Sequence, residues 1–434
     1  MKISHIILLA AAISIQSCSF TRTVAHLGPN ITDHKIFPYT EVLPGDSVFR
    51  FIEGDEDELL KNRTFSSYQR GKPEWLVTTL EGYLETYNTT TAFLVIRNDS
   101  IIFEKYYKGY TRDSISTVFS ISKSVTGLLA GIAIDEGYIE SIHDPVTKYV
   151  PELKKKDQRF ERMTVEHLLN MRTGFKFNEV YSNPFSKSGS LYYGTNQLGK
   201  IKRMKFKAEP GEKMSYQSIT TALLGIVIER ATGKSLGDYL QEKVWTPMGM
   251  ENRATWSLDD KRHRATKSFC GLNITAIDLA KIGRLYLNKG SWNGKQIVDS
   301  AWIEKTATPV PSNYGYQNQW WSHRVWIANP ETREYFPDSL SGRRYLEEKY
   351  PSFKEYARIF PVNNNSTQWS LNIYHPDVYC AQGILGQYLY VHPKNNLIVV
   401  RLGEKEGKSE DYADIIYRQV IIAIREYLKE NTAK

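Results

Sequence analysis

A helix that is apolar on nearly every side has to be covered on nearly every side. Residues 117–137, TVFSISKSVTGLLAGIAIDEG, read as such a helix, with Val125, Leu128, Leu129, Ile132 and Ile134 leaving little polar face beyond the first turn. The rest of the chain must therefore wrap around it. The 434 residues, 41% apolar and 24% charged, can bury one large core or two moderate ones.

The polar residues at the head of this helix raise a chemical question. Ser120 and Lys123 lie three residues apart, on one face and one turn from each other. Free N–H groups and the helix dipole disfavour a cation at this end, and burial disfavours it further. A neutral amine can accept a proton, and a neutral lysine within hydrogen-bonding range is one way to activate a serine hydroxyl. The plainer reading is a serine that caps the helix beside a lysine that snorkels to water. SxxK spacing also arises by chance roughly once in a chain of ordinary composition, so spacing alone leaves both readings open. Ser122 and Ser124 have no lysine three residues on.

Two hairpin patterns bracket the chain. TAFLVIRNDSIIFEKYYKGY (91–110) is rich in β-branched and aromatic residues on both sides of Asn98 and Asp99. GQYLYVHPKNNLIVVRLG (386–403) repeats the pattern and turns at Lys394 to Asn396. PEWLVTTLEGYLETYN (73–88) has helical spacing with Pro73 in its first turn, and SEDYADIIYRQVIIAIREYLKEN (409–431) reads as a closing amphipathic helix. Residues 120–300 carry helical patterns with little strand signal. The economical arrangement is an α/β (α+β) fold. In it, an antiparallel sheet domain built from both chain ends (71–125 and 300–434) is flanked by helices, and a mostly helical domain (126–299) is inserted between them. A groove between the two is where a site is expected. Residues 19–70, with LPGDS and the acidic EGDEDE, read as a tether and N-terminal wrap.

The first 18 residues have the parts of a secretory signal: Lys2, an apolar stretch from Ile3 to Ile15, then Gln16 and Ser17 before Cys18. A cysteine directly after a small residue resembles the bacterial lipoprotein signal, in which the cysteine is lipidated and becomes the new N-terminus. Gln16 stands where that signal usually has a small residue. The expectation is an exported protein on the cell envelope, touching membrane only through a lipid on Cys18. Cys270 and Cys380 then remain, too few for a disulfide scaffold, and a bridge between them requires Cα atoms within roughly 4.4 to 6.8 Å. The formal charge is +8 and the pI about 9.0, but the basic residues are spread among nearly as many acids, so no nucleic-acid footprint emerges. Solubility, with attraction to anionic envelope polymers, accounts for the charge.

Beyond the SISK segment, four further stretches fall in a known order: MTVEHLLNMRTGF (163–175), a segment from PGEKMSYQSIT onward (210–252), one from GLNITAIDLAKIG onward (271–303), and GILGQYLYVHPKNNLIVV (383–400). Together they resemble the serine β-lactamase and penicillin-binding superfamily, in its class C, esterase and 6-aminohexanoate-oligomer hydrolase branch, over most of residues 90–403. The resemblance implies a β-lactamase/transpeptidase-like fold with Ser120 as nucleophile and Lys123 as its base. Tyr216 is then the tyrosine of the second motif (Tyr216, Gln217, Ser218), hydrogen-bonded to both and relaying protons to the leaving group. Ser218, where asparagine is usual, would cap the following helix and face substrate. The third motif, KTG or HTG, is missing: Ala381, Gln382 and Gly383 take its place, followed by Ile384 and a shortened turn before Gly386 and Gln387. A lysine there would hold the carboxylate of a β-lactam or a stem peptide, so its loss argues against both. Backbone N–H groups of Ser120 and Ile384 are the candidates for an oxyanion hole. The implied activity is hydrolysis of a small-molecule or short peptide-like amide or ester through an acyl-enzyme, without metal or organic cofactor. The alternative is a catalytically silent protein that holds envelope peptides or polymers on the same fold.

Other signals are weaker. GKSLG (233–237) fits the GxSxG pattern, but a helix and not a strand precedes it, so Gly233 reads as a C-cap and Ser235 as the next N-cap. The nine histidines show no HExxH spacing. His323 and His375 could line the groove, with solvent-exposed loop positions as the plainer reading. Residues 322–378 form a long insertion holding RRYLEEKYPSFKEYARIF and NNNSTQ, either a lid over the groove or surface decoration.

Overall fold

The computed structural model describes residues 26, 28–54, 64–68, 75–86, 89–180, 183, 186–327, 329–332, 335–363 and 367–405. The signal segment with Cys18 and the closing helix at 409–431 lie outside the described residues. The N-terminal wrap contributes β1 (Tyr39–Val42) and β2 (Ile52–Glu53), and β3 (Thr64–Tyr68) pairs antiparallel with β4 (Trp75–Thr79) ahead of α1 (Leu80–Thr86). The helix expected over 73–88 thus starts only at Leu80. The run Trp-Leu-Val-Thr-Thr before it is made of strand formers, and pairing with β3 overrides its helical spacing.

Next come β5 (Thr90–Arg97) and β6 (Ser100–Tyr106), joined as expected at Asn98 and Asp99. Both turn residues have positive φ, 50° and 59°, the backbone that a two-residue hairpin of matching twist requires. Then follow β7 (Ser116–Thr117), α2 (Ile121–Asp135), α3 (Ser218–Thr232), α4 (Leu236–Leu240), β8 (Ala254–Ser257), β9 (Leu272–Ile274) and α5 (Ala276–Leu287), with shorter helices between α2 and α3. The last part holds β10 (Tyr316–Gln317), β11 (Trp320–Ile327), α6 (Ser339–Lys349), β12 (Ala357–Pro361), β13 (Trp369–Gly383), β14 (Gln387–His392) and β15 (Leu397–Gly403).

A nine-stranded sheet runs β10-β11-β13-β14-β15-β5-β6-β2, with β12 also on β13; only β2 is parallel to its neighbour. The two hairpins meet where β15 pairs with β5, Val399 opposite Val95. Alternation then sorts the side chains. Leu94, Leu389, Ile398 and Val400 join the large core with α2 and α5, while Phe93, Val95, Phe103, Tyr390 and Val399 cover the other face with Leu80 and Leu84 of α1.

A second, four-stranded sheet, β1-β8-β9-β7, was not legible in the sequence. Every residue of β8 and β9 is buried, so neither shows the two-residue alternation that marks a half-buried strand. β9 of this sheet meets the first turn of α2, which is buried from Ile121 to Ala133. The other two serines of the SISKS segment serve as anchors. Ser122 Oγ accepts the Leu272 N–H at 3.0 Å, and Ser124 Oγ donates to the Gln319 carbonyl at 2.8 Å. Gly127 allows that approach, since a Cβ there would lie 2.5 Å from the Asn318 carbonyl oxygen.

The insertion extends the sheet. Arg324 to Ile327 of β11 and all of β12 pair with the first half of β13, and Phe336, Leu346, Leu371 and Ile373 form a small core under α6. His323 and His375 are strand residues and not exposed loop positions: His323 is buried against Tyr390, and His375 packs on Phe353. Cys270 and Cys380 are both buried, and no disulfide joins them. Ser235 caps α4 by accepting the Asp238 N–H, and Gly233, at φ 70°, ends α3, as the sequence suggested.

Candidate active site

Ser120 occupies the N-cap position of α2, yet its side chain caps nothing; its backbone is already helical, with φ −66° and ψ −10°. The preceding Phe119 is turned into the left-handed region at φ 46°, a strain of about 1–2 kcal/mol that burial of its ring holds in place. Lys123 is 1% exposed, which rules out snorkelling. Its Nζ lies 2.8 Å from Ser120 Oγ and 2.8 Å from the Phe269 carbonyl oxygen in the approach to β9. Among the described residues no carboxylate pairs with this amine.

Tyr216 arrives on the loop before α3. Ser215 N–H donates to the Met171 carbonyl and Gly211 N–H to that of Arg172, so the MRTGF segment serves as the seat of this loop. The half-buried ring lies with its centroid 5.0 Å from Lys123 Nζ, stacked on Trp321 at 5.5 Å and edge-on to Tyr316 at 5.8 Å. Its hydroxyl forms no hydrogen bond among the described residues. The ring face, and not a hydrogen bond from the phenol, brings it to the Ser120–Lys123 pair.

The other residues of the second motif turn inward. Gln217 donates to the carbonyls of Phe175 and Phe177. Ser218 is fully buried, and its N–H and hydroxyl both go to Glu179, so its hydroxyl is committed to that carboxylate. Glu179 thus caps α3 from a distant segment, with its negative charge at the favourable end of the helix dipole.

β13 ends beside the head of α2. A Cβ on Gly383 would lie 2.5 Å from the Val118 carbonyl oxygen, so glycine is what lets the strand end approach the residues leading to Ser120. Gln382 is exposed, and Ala381, at the place of the family's lysine, is buried. Among the described residues the N–H groups of Ser120 and Ile384 have no protein acceptor, whereas the neighbouring Ile121 and Ser122 N–H groups bond to Val118 and Phe119. Backbone N–H groups without a protein acceptor are the kind of donor that an oxyanion hole uses.

Two other groups stand outside this chemistry. Burial pushes the Cys270 thiol up to about 12, leaving it protonated at neutral pH. Asp259, Asp260 and His263 cluster in a surface turn, but the carboxylates accept from backbone N–H groups of Gln197, Asp260, Arg262, His263 and Ala265, as turn caps do. Sequence reasoning did not find Phe269, Tyr316, Trp321 or Glu179. Each reaches the site from another part of the chain, without local motif.

The Beta-lactamase family model matches residues 78–423. A 6-aminohexanoate-dimer hydrolase of Paenarthrobacter ureafaciens is 29% identical over 324 residues, 72% of this chain and 72% of that protein. Among solved structures, a Bacillus anthracis protein described as a candidate 6-aminohexanoate-dimer hydrolase aligns with TM-score 0.70 at 22% identity, covering 92% of this chain and 94% of the other. A penicillin-binding protein homologue from Pyrococcus abyssi aligns with TM-score 0.52 at 20% identity, covering 79% and 76%. At these identities the structural likeness speaks to the fold alone.

Proposed function

The chain belongs to the beta-lactamase family, and we propose that within it this protein is a serine hydrolase that opens a small amide or ester through an acyl-enzyme. Ser120 Oγ attacks the carbonyl carbon while the Lys123 amine, 2.8 Å away, accepts its proton. The carbonyl oxygen becomes an oxyanion between the Ser120 and Ile384 N–H groups. As the C–N or C–O bond breaks, the proton passes from Lys123 to the departing amine or alcohol, with the Tyr216 hydroxyl as relay. Water then attacks the acyl ester by the same route and restores Ser120 and the free acid. The observation that carries this reading is the buried amine on Ser120 Oγ with no carboxylate, among the described residues, to make it a structural ion pair.

Ala381 offers no cation for a β-lactam or stem-peptide carboxylate, and the likeness to a 6-aminohexanoate-dimer hydrolase supports a linear amide. The signal-like residues 1–18 support export and lipid anchoring at Cys18. A fluorophosphonate probe tests the class: labelling is expected and should vanish in Ser120→Ala, whereas a folded chain that takes no label would point to a silent binder. Turnover of p-nitrophenyl esters, linear ω-amino-acid amides and nitrocefin tests the substrate, with rapid nitrocefin hydrolysis overturning the weight placed on Ala381. Anchoring predicts that Cys18→Ser moves the protein out of the membrane fraction.

A further inference from the structure

The turn that carries Ile384 is held from behind by two buried side chains that the chemistry above does not use. Gln387 Nε2 donates to the carbonyls of Ile384 (3.3 Å), Leu385 (3.1 Å) and Gly403 (2.6 Å), while its Oε1 accepts the Gly403 N–H at 3.2 Å. Arg401 Nη1 donates to the next carbonyl, Gly386, at 2.6 Å. Its other nitrogens reach Thr90 Oγ1, Thr89 Oγ1 and the Lys405 carbonyl. Three consecutive carbonyls of one short turn are thus drawn toward β15 by an amide and a guanidinium that are 0% and 2% exposed.

This turn needs holding. Leu385 and Gly386 both have left-handed backbone, φ 65° and 82°, which for leucine is a strain of about 1–2 kcal/mol. Such strain persists where the surroundings over-determine the backbone. Room for the clamp is built in: a Cβ on Gly386 would lie 1.8 Å from Arg401 Nη1, and one on Gly403 2.7 Å from it. The peptide plane holding the Ile384 N–H is set by the pairing of Gly383 with Gln387 and by the approach of Gly383 to Val118. The plane after it is set by Gln387. The donor is therefore fixed from both sides.

Resting on the hydrolase reading above, we propose that Gln387 and Arg401 are positioning residues of the oxyanion hole, aiming the Ile384 N–H and placing a buried positive charge behind it. Where the third-motif lysine is lost, a cation two strands away stands behind the same strand end without being available to bind substrate. Its fork is engaged by the turn and by Thr89 and Thr90, so it favours the developing oxyanion and not a substrate carboxylate.

Gln387→Ala and Arg401→Gln in the full-length chain test this, with kcat and KM on the fastest p-nitrophenyl ester and the Ki of an alkylboronic acid, whose tetrahedral adduct places an oxygen in the hole. A matched control is Phe103→Leu, in the core on the other face of the sheet, compared at equal loss of melting temperature. The expected result is a ~10- to 100-fold fall in kcat with KM within about twofold, and a boronate Ki weakened by the same factor. Phe103→Leu should move neither. Arg401→Lys, which keeps the charge but not the fork, should fall between wild type and Arg401→Gln. If Arg401→Gln does not fold, Gln387→Asn carries the same measurement. Values of kcat and Ki at the level of wild type or of the Phe103 control overturn the proposal. Failure of the wild-type chain to hydrolyse any ester or take the fluorophosphonate overturns the hydrolase reading instead.

Discussion

Replacing Lys123 by methionine should separate activity from stability. Methionine keeps the apolar stem and removes the amine. Two hydrogen bonds are lost, to Ser120 Oγ and the Phe269 carbonyl, at about 1 kcal/mol each, and the carbonyl loses its partner. Against this, the native chain desolvates a polar amine to 1% exposure with no carboxylate beside it among the described residues, and burying a polar group costs roughly 1–3 kcal/mol. The two roughly cancel, so the variant should stay within about 1 kcal/mol of wild type. Loss of the base should lower ester turnover by ~100- to 10,000-fold. Urea unfolding and p-nitrophenyl ester hydrolysis read the two effects on one preparation. A variant more than about 2 kcal/mol less stable than wild type would mean that the amine is a structural tie. One within tenfold of wild-type activity would mean that it is not the base.

Tyr216→Phe keeps the ring stacked on Trp321 and the contact with Lys123, so it should fold normally and lose ~100-fold in kcat with KM little changed; an unchanged kcat removes the phenol from the mechanism. Gly383→Ala would put a methyl group 2.5 Å from the Val118 oxygen, and the strand end must move: kcat should fall at least ~10-fold with only a modest loss of melting temperature, and a crystal structure with Ile384 in place would contradict this. Glu229 tests burial in the second layer. Desolvation raises its carboxyl from 4.5 to about 7, only partly offset by the Thr266 hydroxyl and Leu236 N–H. The native state therefore holds this proton more tightly than the unfolded chain, and stability falls as pH rises from about 4.5 to about 7 and then levels. Glu229→Gln should gain on wild type through that window, by at most about 3 kcal/mol, and parallel urea-unfolding curves at pH 5, 6, 7 and 8 would refute it.

The elements legible in the sequence were those whose cause is local. Asn98 and Asp99 between strand formers specify a tight turn wherever they occur, and an all-apolar helix announces its burial by composition. The SxxK spacing sets Ser120 and Lys123 on one face because helical geometry alone brings residues three apart together. What the sequence could not decide was which of two readings of that spacing holds, because the choice between a snorkelling lysine and a buried one depends on what covers the helix. Phe269, Tyr216 and Trp321 do that from segments roughly 90 to 200 residues further on. The same limit hid β8 and β9, whose burial on both faces erases alternation, and assigned Ser218 to substrate when Glu179 takes it. It also left Gln387 and Arg401 without a role, since a turn's carbonyls acquire their partners only when β14 and β15 pair behind it. Local periodicity is a property of the chain, whereas a proton's destination and an N–H group's aim are properties of whatever the packed chain places opposite them.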